Sequence, residues 1–207
     1  MRVGIVVYDG FDELDAVGPY EVLKNAAAAG APLEVRLVTL RECASVNASH
    51  GLAVASEGTL DEAFDWLVVS GGSWAARKDV GAWGEINRGD LPRALARRKQ
   101  QGVAMASVCT GTMLLSAAGI TRGRPATTHH VAIEALRGEG AHIVEARVVD
   151  DGDLITSGGV TSGIELALWF IERHFGKAMA DGIARQMEYP YRTSVWRASS
   201  ENPCVGH

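Results

Sequence analysis

The sequence predicts an α/β fold, a doubly wound and mostly parallel sheet with helices on both faces. Short, wholly apolar runs at 3–7 and 67–69 are typical of strands that are buried on both sides. Segments with helical periodicity, such as 20–29 and 91–101, separate these runs. Because strands and helices alternate, we expect a parallel sheet whose site lies beyond the carboxyl ends of its strands.

The amino-terminal half of the chain begins this alternation. Positions 33–40 are apolar at alternate residues before becoming continuously apolar, and Gly30 ends the helical pattern that precedes them. The segment 91–101 is amphipathic, with basic residues on its outer face. We expect strands at 3–7, 33–40, 67–69 and 103–108, helices at 20–29 and 91–101, and a peripheral hairpin or edge strand at 50–57.

The carboxyl-terminal half continues in the same way. An Ala/Leu-rich helical segment occupies 111–118, and a long helix with apolar periodicity occupies 164–175. We expect strands at 126–128, 143–149 and 154–157, and further helices at 131–137 and 178–187. The pattern predicts one domain over residues 1–195, followed by a loose C-terminal tail at 196–207.

Composition excludes several classes of protein. The 207 residues are 47% hydrophobic and 22% charged, which is ordinary for a globular domain, and the net charge of −5 argues against a nucleic-acid surface. The cysteines, Cys43, Cys109 and Cys204, are too widely spaced for a disulfide framework or a metal motif. No apolar run reaches the length that spans a membrane. We therefore expect a cytoplasmic protein of a reducing compartment, with no nucleic-acid or membrane partner.

Cys109 is the strongest candidate for a reactive residue. It follows the apolar strand 103–108 and precedes the helix 111–118, with small residues on both sides. A nucleophile on a tight turn from strand to helix forms an elbow that a substrate can reach. The helix N-terminus would favour thiolate over thiol. The alternative is a buried structural cysteine.

Two glycines, Gly71 and Gly72, follow the strand 67–69. We therefore expect them at the same edge of the sheet as Cys109. Their N–H groups, with that of Thr110, would form an oxyanion pocket next to the sulfur. A plain tight turn explains a Gly-Gly pair equally well.

Asp15 is the most unusual carboxyl group after the first strand. It stands between Leu14 and the apolar pair Ala16-Val17. Such a setting raises the pKa of a carboxyl group, which can then hold a proton and pass it to a substrate. The alternative is a solvated or helix-capping acid.

His129 and His130 follow the strand-like 126–128. A Cys–His pair is a common way to activate sulfur, although adjacent side chains point in different directions, so we expect at most one to face Cys109. A supporting or surface histidine is equally compatible with the sequence. Two neighbouring histidines without a further matching ligand do not indicate a metal site.

The chain resembles the ThiJ/PfpI superfamily, which has the class I glutamine-amidotransferase-like fold, over nearly its whole length. Two motifs are specific: Leu-Asp-Ala-Val-Gly-Pro-Tyr-Glu-Val-Leu at 14–23 and Val-Cys-Thr-Gly at 108–111. The other matching stretches are 3–9, 67–72, 126–129 and 156–168. The resemblance implies a flavodoxin-like sheet with a nucleophile-elbow cysteine.

Within that superfamily the chain is most similar to the isonitrile hydratases. This resemblance implies Cys109 as nucleophile, Asp15 as its carboxyl partner, Thr110 beside them and Gly72 as an oxyanion-pocket donor. It further implies a homodimer with each site near the subunit interface. The substrate would be a small isonitrile, hydrated through a thioimidate to an N-substituted formamide without metal or organic cofactor. The pocket-lining residues are not specified, with Trp74, Trp83, Ile155 and Val160 as weak candidates by position.

Departures from other branches leave two alternatives. The protease-like branch has a histidine after the cysteine, where this chain has Thr110, and the deglycase-like and oxidative-stress branch uses a glutamate where this chain has Asp15. A deglycase, glyoxalase-like or oxidative-stress protein is one alternative. The other is a ligand-binding module related to the amino-terminal domain of AraC-type regulators, standing alone because no basic helix-turn-helix region follows in this sequence.

Overall fold

The computed structural model describes residues 1–191 and 195–198. The strands are β1 Arg2–Val6, β2 Glu34–Val38, β3 Ser45–Asn47, β4 Ala53–Ala55, β5 Trp66–Val69, β6 Ala104–Ser107, β7 Pro125–Ala126, β8 His142–Ile143, β9 Val148–Asp150, β10 Leu154–Ser157 and β11 Val195–Arg197. The helices are α1 Glu13–Ala28, α2 Gly81–Arg88, α3 Asp90–Gln100, α4 Gly111–Ala117, α5 Ile133–Gly138, α6 Ser162–Phe175 and α7 Lys177–Gln186, with a 3-10 turn at His130–Ala132 before α5.

A seven-stranded sheet forms the centre of the fold, in the order β11-β9-β10-β6-β5-β1-β2. The neighbours from β10 to β2 are all parallel, whereas β9 runs antiparallel to β10. The central strands are mostly apolar because both of their faces are covered, as in β5, where all four residues are buried. The predicted doubly wound, mostly parallel sheet is therefore confirmed.

Helices cover the sheet in two groups. One group consists of α1, α6 and α7, which pack on one another, and the other consists of α2, α3, α4 and α5. The core between these layers contains large buried side chains such as Phe11, Met105 and Phe170. Within the part of the chain that the structure describes, no helix is both long and apolar enough to cross a membrane.

The first helix begins earlier than the sequence predicts. It starts at Glu13 rather than at 20, because Asp12 caps it by accepting a hydrogen bond from the Leu14 N–H group. Pro19 lies inside the helix, where it removes one backbone hydrogen bond. Close packing against α6 keeps this segment helical, since a Cβ on Gly163 would lie 3.2 Å from the Pro19 ring.

Other elements also differ from their predicted bounds. The predicted strand 143–149 is wrong as a single element, because β8 pairs with β7 in a small sheet while β9 pairs with β10 in the main one. One continuous strand cannot serve both sheets, so the chain turns between them. The expected peripheral hairpin is present, with β3 as the partner of β4, and α2 has no counterpart among the predicted helices.

The end of the described chain pairs with the sheet. The strand β11 runs parallel to β9, and it includes Trp196 and Arg197, two residues of the predicted tail. The Arg197 guanidinium lies 5.4 Å from the centre of the Trp169 ring. The remainder of the predicted tail, residues 199–207 with Cys204, lies outside the described residues.

Candidate active site

Three adjacent strands bring the candidate residues together. The central order β6-β5-β1 places Cys109, the Gly71-Gly72 pair and the start of α1 at one edge of the sheet. These strands are parallel, so their carboxyl ends meet there. The three segments therefore meet at this edge although they are far apart in the sequence.

The bend at Cys109 is a left-handed backbone conformation, with φ of +57°. Its N–H group donates to the Gly158 carbonyl at 2.9 Å, and its carbonyl accepts from the Thr128 hydroxyl at 2.8 Å. A side chain at Gly111 has no room, since a Cβ there would lie 2.1 Å from the Val69 carbonyl oxygen. The elbow is thus held in an uncommon conformation by Val69 on β5, by Gly158 directly after β10 and by Thr128.

Asp15 is fully buried in the first turn of α1. Its Oδ2 accepts a hydrogen bond from the Gly71 N–H group at 3.0 Å. Its Oδ1 receives no hydrogen bond of ordinary geometry from the described residues, although the Cys109 side chain is close enough to lower the pKa of Asp15. Burial, followed by the negative charge of Asp12, raises that pKa well above its usual range. This confirms the direction predicted from the apolar setting.

The residue Cys109 is 6% exposed, and the pKa of its thiol is raised to about 12. Burial is the main cause and the charge of Asp15 the second, while the backbone N–H groups of Val160 and Thr110 act in the opposite direction. The prediction of a low thiol pKa is therefore wrong. The helix that follows is only seven residues long, and its N-terminus does not outweigh burial beside a carboxyl group.

The glycine pair forms a tight turn whose N–H groups are already bonded. Gly71 donates to Asp15, and Gly72 donates to the Thr110 Oγ1 at 3.0 Å. A Cβ on either glycine would strike backbone atoms, at 2.5 Å from the Thr110 nitrogen for Gly71 and 2.4 Å from the Asp12 nitrogen for Gly72. The pair therefore positions Asp15 and Thr110, and the amides directed at the sulfur are those of Thr110 and Val160.

Val160 contributes through its backbone, which sequence reasoning does not find. Its φ of +37° is rare for a β-branched residue. The residue stands in the loop between β10 and α6 and turns its amide towards Cys109. The only signal in the sequence is the Gly158-Gly159 pair before it, which permits such a loop.

His129 lines the same cavity as Cys109, whereas His130 lines a neighbouring one. The Nδ1 of His129 accepts a hydrogen bond from the Val131 N–H group at 3.3 Å, so the proton of the neutral ring is on Nε2. Burial, and then His130, lower the pKa of His129. The expectation that the two side chains diverge is wrong, since their ring centres are 4.2 Å apart.

The candidate cavity has a volume of about 310 Å³. Cys109 and Thr110 lie in it with Asp12, and Trp74, Val131 and Val160 supply apolar walls. Two of the four weak pocket candidates, Trp74 and Val160, therefore line it. The other two do not, because Trp83 packs edge-on against Trp74 and Ile155 is buried in β10.

A second cavity of about 270 Å³ lies beside Tyr8, Glu85 and the exposed Cys43. The Cys43 thiol donates a hydrogen bond to the Thr39 hydroxyl at 3.7 Å. This cavity contains no buried pairing of thiol with carboxyl, so the candidate active site is the one at Cys109.

Among the described residues, Asp12, Glu13 and His50 have potential metal-ligand atoms within 4.8 Å of one another. His50 Nδ1 lies 2.6 Å from the Glu13 carboxylate. Burial opposes ionisation of Glu13, but the hydrogen bonds from His50 outweigh it and lower the pKa to about 2. Glu13 and His50 are therefore already satisfied by an ion pair, and the His129-His130 pair is not part of the group.

Known proteins resemble this chain in sequence and in fold. The isonitrile hydratase of Pseudomonas putida is 33% identical over 192 residues, covering 91% of this chain and 78% of that protein. A deglycase of Pyrococcus horikoshii is 28% identical over 162 residues, covering 76% and 89%. The crystal structure of a ThiJ/PfpI family protein from Pseudomonas syringae superposes with a TM-score of 0.81 at 26% identity, covering 93% of this chain and 76% of that one. Residues 1–173 match the DJ-1/PfpI family, and the chain therefore belongs to it.

Proposed function

We propose that this protein is an isonitrile hydratase that converts an isonitrile to an N-substituted formamide. The observation that carries the proposal is the Cys109 thiol, which lines a cavity with apolar walls and lies beside the buried Asp15 carboxyl. Similarity to a known isonitrile hydratase supports it. An isonitrile suits this site because its carbon takes up both a proton and a nucleophile.

The first step joins the sulfur to the isonitrile carbon. Because the thiol pKa is high, the proton leaves the sulfur only as the bond forms. Asp15 transfers a proton to the isonitrile carbon and takes up the thiol proton. The product is a neutral thioimidate on Cys109, with no net gain or loss of protons.

The second step adds water to the thioimidate. Asp15, protonated after the first step, gives its proton to the thioimidate nitrogen and takes up a proton from the water as the oxygen bonds to carbon. The carbon–sulfur bond then breaks, which releases the formamide and returns the proton to the sulfur. One carboxyl group thus serves as acid and then as base, which its raised pKa favours.

Thr110 and Val160 assist this chemistry. The Thr110 hydroxyl accepts a hydrogen bond from Gly72, so its own hydrogen is oriented away and can be donated to the substrate nitrogen or to water. The amides of Thr110 and Val160 stabilise negative charge on the sulfur as the proton leaves. His129, with its proton on Nε2, borders the cavity as a neutral donor.

A substrate comparison tests the proposal against its main alternative. We expect purified protein to form N-cyclohexylformamide from cyclohexyl isocyanide and to leave methylglyoxal unchanged. Lactate from methylglyoxal, with no formamide, would instead support a glyoxalase-like activity, which the similarity to a deglycase makes the next candidate. Neither product, with saturable binding of a small molecule, would support the ligand-binding module.

Asp15→Asn tests the role of the carboxyl group. The amide keeps the hydrogen bond from Gly71 but cannot transfer protons, so kcat should fall about 10²- to 10⁴-fold. Asp61→Asn, at an exposed site remote in sequence, is the matched control and should retain wild-type kcat. Undiminished turnover by Asp15→Asn would remove the carboxyl group from the mechanism.

We also propose that the active form is a homodimer in the cytoplasm with each site near the subunit interface. The chain mass of 22.0 kDa gives a dimer of about 44 kDa, twice that value. Sedimentation velocity should give this mass at micromolar concentration, and a single species of chain mass would contradict the dimer.

A further inference from the structure

The walls of the catalytic cavity carry a negative charge that no lysine or arginine in the described lining balances. Among the described residues that line it, Asp12 is a carboxylate and none is lysine or arginine. Asp12 is fixed in place, because its Oδ1 accepts from the Leu14 N–H group at 3.3 Å and its own N–H donates to the Gly71 carbonyl at 2.8 Å. Its carboxylate therefore stays beside the path to Cys109.

The cationic side chains near this cavity lie against groups outside it. Arg77 lies over the Trp83 ring, 4.2 Å from its centre, and Lys78 lines a separate groove with Val80. His50 is paired with Glu13.

Arg147 lines the neighbouring cavity together with His129 and His130, and it forms an ion pair with Glu165 at 2.5 Å. His129 itself tends to be neutral, because burial lowers its pKa. No cation that lines the cavity therefore offsets the charge of Asp12.

We propose that Asp12 is a specificity-determining residue whose carboxylate repels anionic electrophiles from Cys109 and makes the site selective for uncharged isonitriles. The choice of isonitrile as substrate rests on the proposed function, whereas the charge selectivity does not. The same carboxylate adds to the raised pKa values of Asp15 and Cys109, which is consistent with a field that reaches both groups.

The first test uses two alkylating reagents of nearly equal size, neutral iodoacetamide and anionic iodoacetate. In both reactions the sulfur displaces iodide, so the ratio of the two rates is independent of the thiolate fraction. Peptide mass spectrometry follows Cys109 separately from Cys43 and Cys204. We expect the amide-to-acetate rate ratio at Cys109 to exceed that of N-acetylcysteine amide, a reference thiol without a carboxylate, by about tenfold at low salt, and to shrink as salt screens the charge.

Asp12→Asn is the decisive variant. Asparagine caps a helix as well as aspartate does, so α1 should keep its start while the charge is lost. The rate ratio should fall towards that of N-acetylcysteine amide. Glu21→Gln removes one charge from an exposed position of the same helix and should leave the ratio at its wild-type value. An unchanged ratio in Asp12→Asn, or a wild-type ratio equal to that of the free thiol, would overturn the proposal.

The second test compares methyl isocyanoacetate with the isocyanoacetate anion. We expect kcat/KM to favour the neutral ester by about tenfold or more, and Asp12→Asn to narrow the gap mainly through KM. Formamide produced equally well from ester and anion would overturn the charge selectivity. Formamide from neither compound, with alkylation still selective, would overturn the hydratase proposal and leave the role of Asp12 standing.

Discussion

At the scale of residues, two opposing pairs of influences set the protonation of Cys109. Burial and the Asp15 carboxyl favour the thiol, and the amides of Val160 and Thr110 favour the thiolate. The first pair outweighs the second, which leaves a protonated sulfur at neutral pH. A site of this kind reacts when the substrate itself accepts the proton, as an isonitrile does.

The pH dependence of alkylation tests this balance. In wild type, iodoacetamide should modify Cys109 about tenfold faster for each pH unit, without a plateau up to pH about 10, because its thiolate fraction keeps rising. Asp15→Asn should shift the profile to lower pH, since it removes the second cause of the high thiol pKa. In Asp15→Asn, alkylation of Cys109 would then become faster while turnover of the isonitrile becomes slower. A wild-type plateau near pH 8 would contradict the high pKa.

The sequence predicts a role for Asp15 but not for the backbone of Val160. Asp15 is recognisable because a carboxyl between Leu14 and Ala16 is out of place on an apolar face. Val160 acts through an N–H group that every residue has, and the direction of that group depends on a loop conformation that composition does not encode. The prediction of a low thiol pKa is wrong because burial of the sulfur is a tertiary property that the local sequence does not report.

At the scale of elements, the elbow between β6 and α4 depends on the absence of a side chain at Gly111. Gly111→Ala would place a Cβ 2.1 Å from the Val69 carbonyl oxygen, so β5 and α4 would have to separate. We expect the free energy of unfolding to fall by at least about 2 kcal/mol. Chemical denaturation measures this change.

Gly182→Ala is the matched control for that substitution. Gly182 lies in α7 with open space around it, so alanine there should raise the free energy of unfolding by about 0.5–1 kcal/mol. Equal effects of the two substitutions would show that helix propensity, and not the contact with β5, decides the stability of the elbow.

Elements whose apolar pattern is continuous are predicted well, and those shaped by packing are not. The strands β1, β5 and β6 lie within one residue of their predicted bounds at most ends, because each is buried on both faces. The start of α1 is missed because Gly18 and Pro19 oppose a helix locally, whereas packing against α6 enforces it.

At the scale of the whole molecule, His174 links global stability to pH. It is packed among aromatic rings, 4.5 Å from the centre of Phe170 and 5.8 Å from that of Trp66. Burial, followed by the charge of Arg173, lowers its pKa in the folded state. The unfolded chain therefore binds the proton first as pH falls through about 6.5, and the free energy of unfolding should decrease there.

Denaturation of His174→Gln across pH 7.5 to 5 measures this contribution. The variant should lose part of the wild-type decrease in stability over that range, because no imidazole remains to be protonated on unfolding. His142→Gln, at an exposed histidine, should keep the wild-type slope. Identical slopes in wild type and His174→Gln would remove His174 from the pH dependence.

The fold class is the property of the whole molecule that the sequence predicts best. Buried runs alternate with amphipathic helices, and chain connectivity then favours a doubly wound sheet. The strand order that brings Cys109, Gly71 and Asp15 together is set by pairing between distant segments, which periodicity does not report. The pairing of β11 with β9 is missed for the same reason.

Formation of N-cyclohexylformamide by wild type and by Cys109→Ala is the measurement to make first. Covalent hydration through the sulfur requires steady product formation by wild type and none above the uncatalysed rate by Cys109→Ala, with both proteins folded to the same stability within about 1 kcal/mol. Formamide formed by Cys109→Ala at the wild-type rate would contradict a thioimidate on Cys109, and no formamide from either protein would contradict the hydratase activity itself.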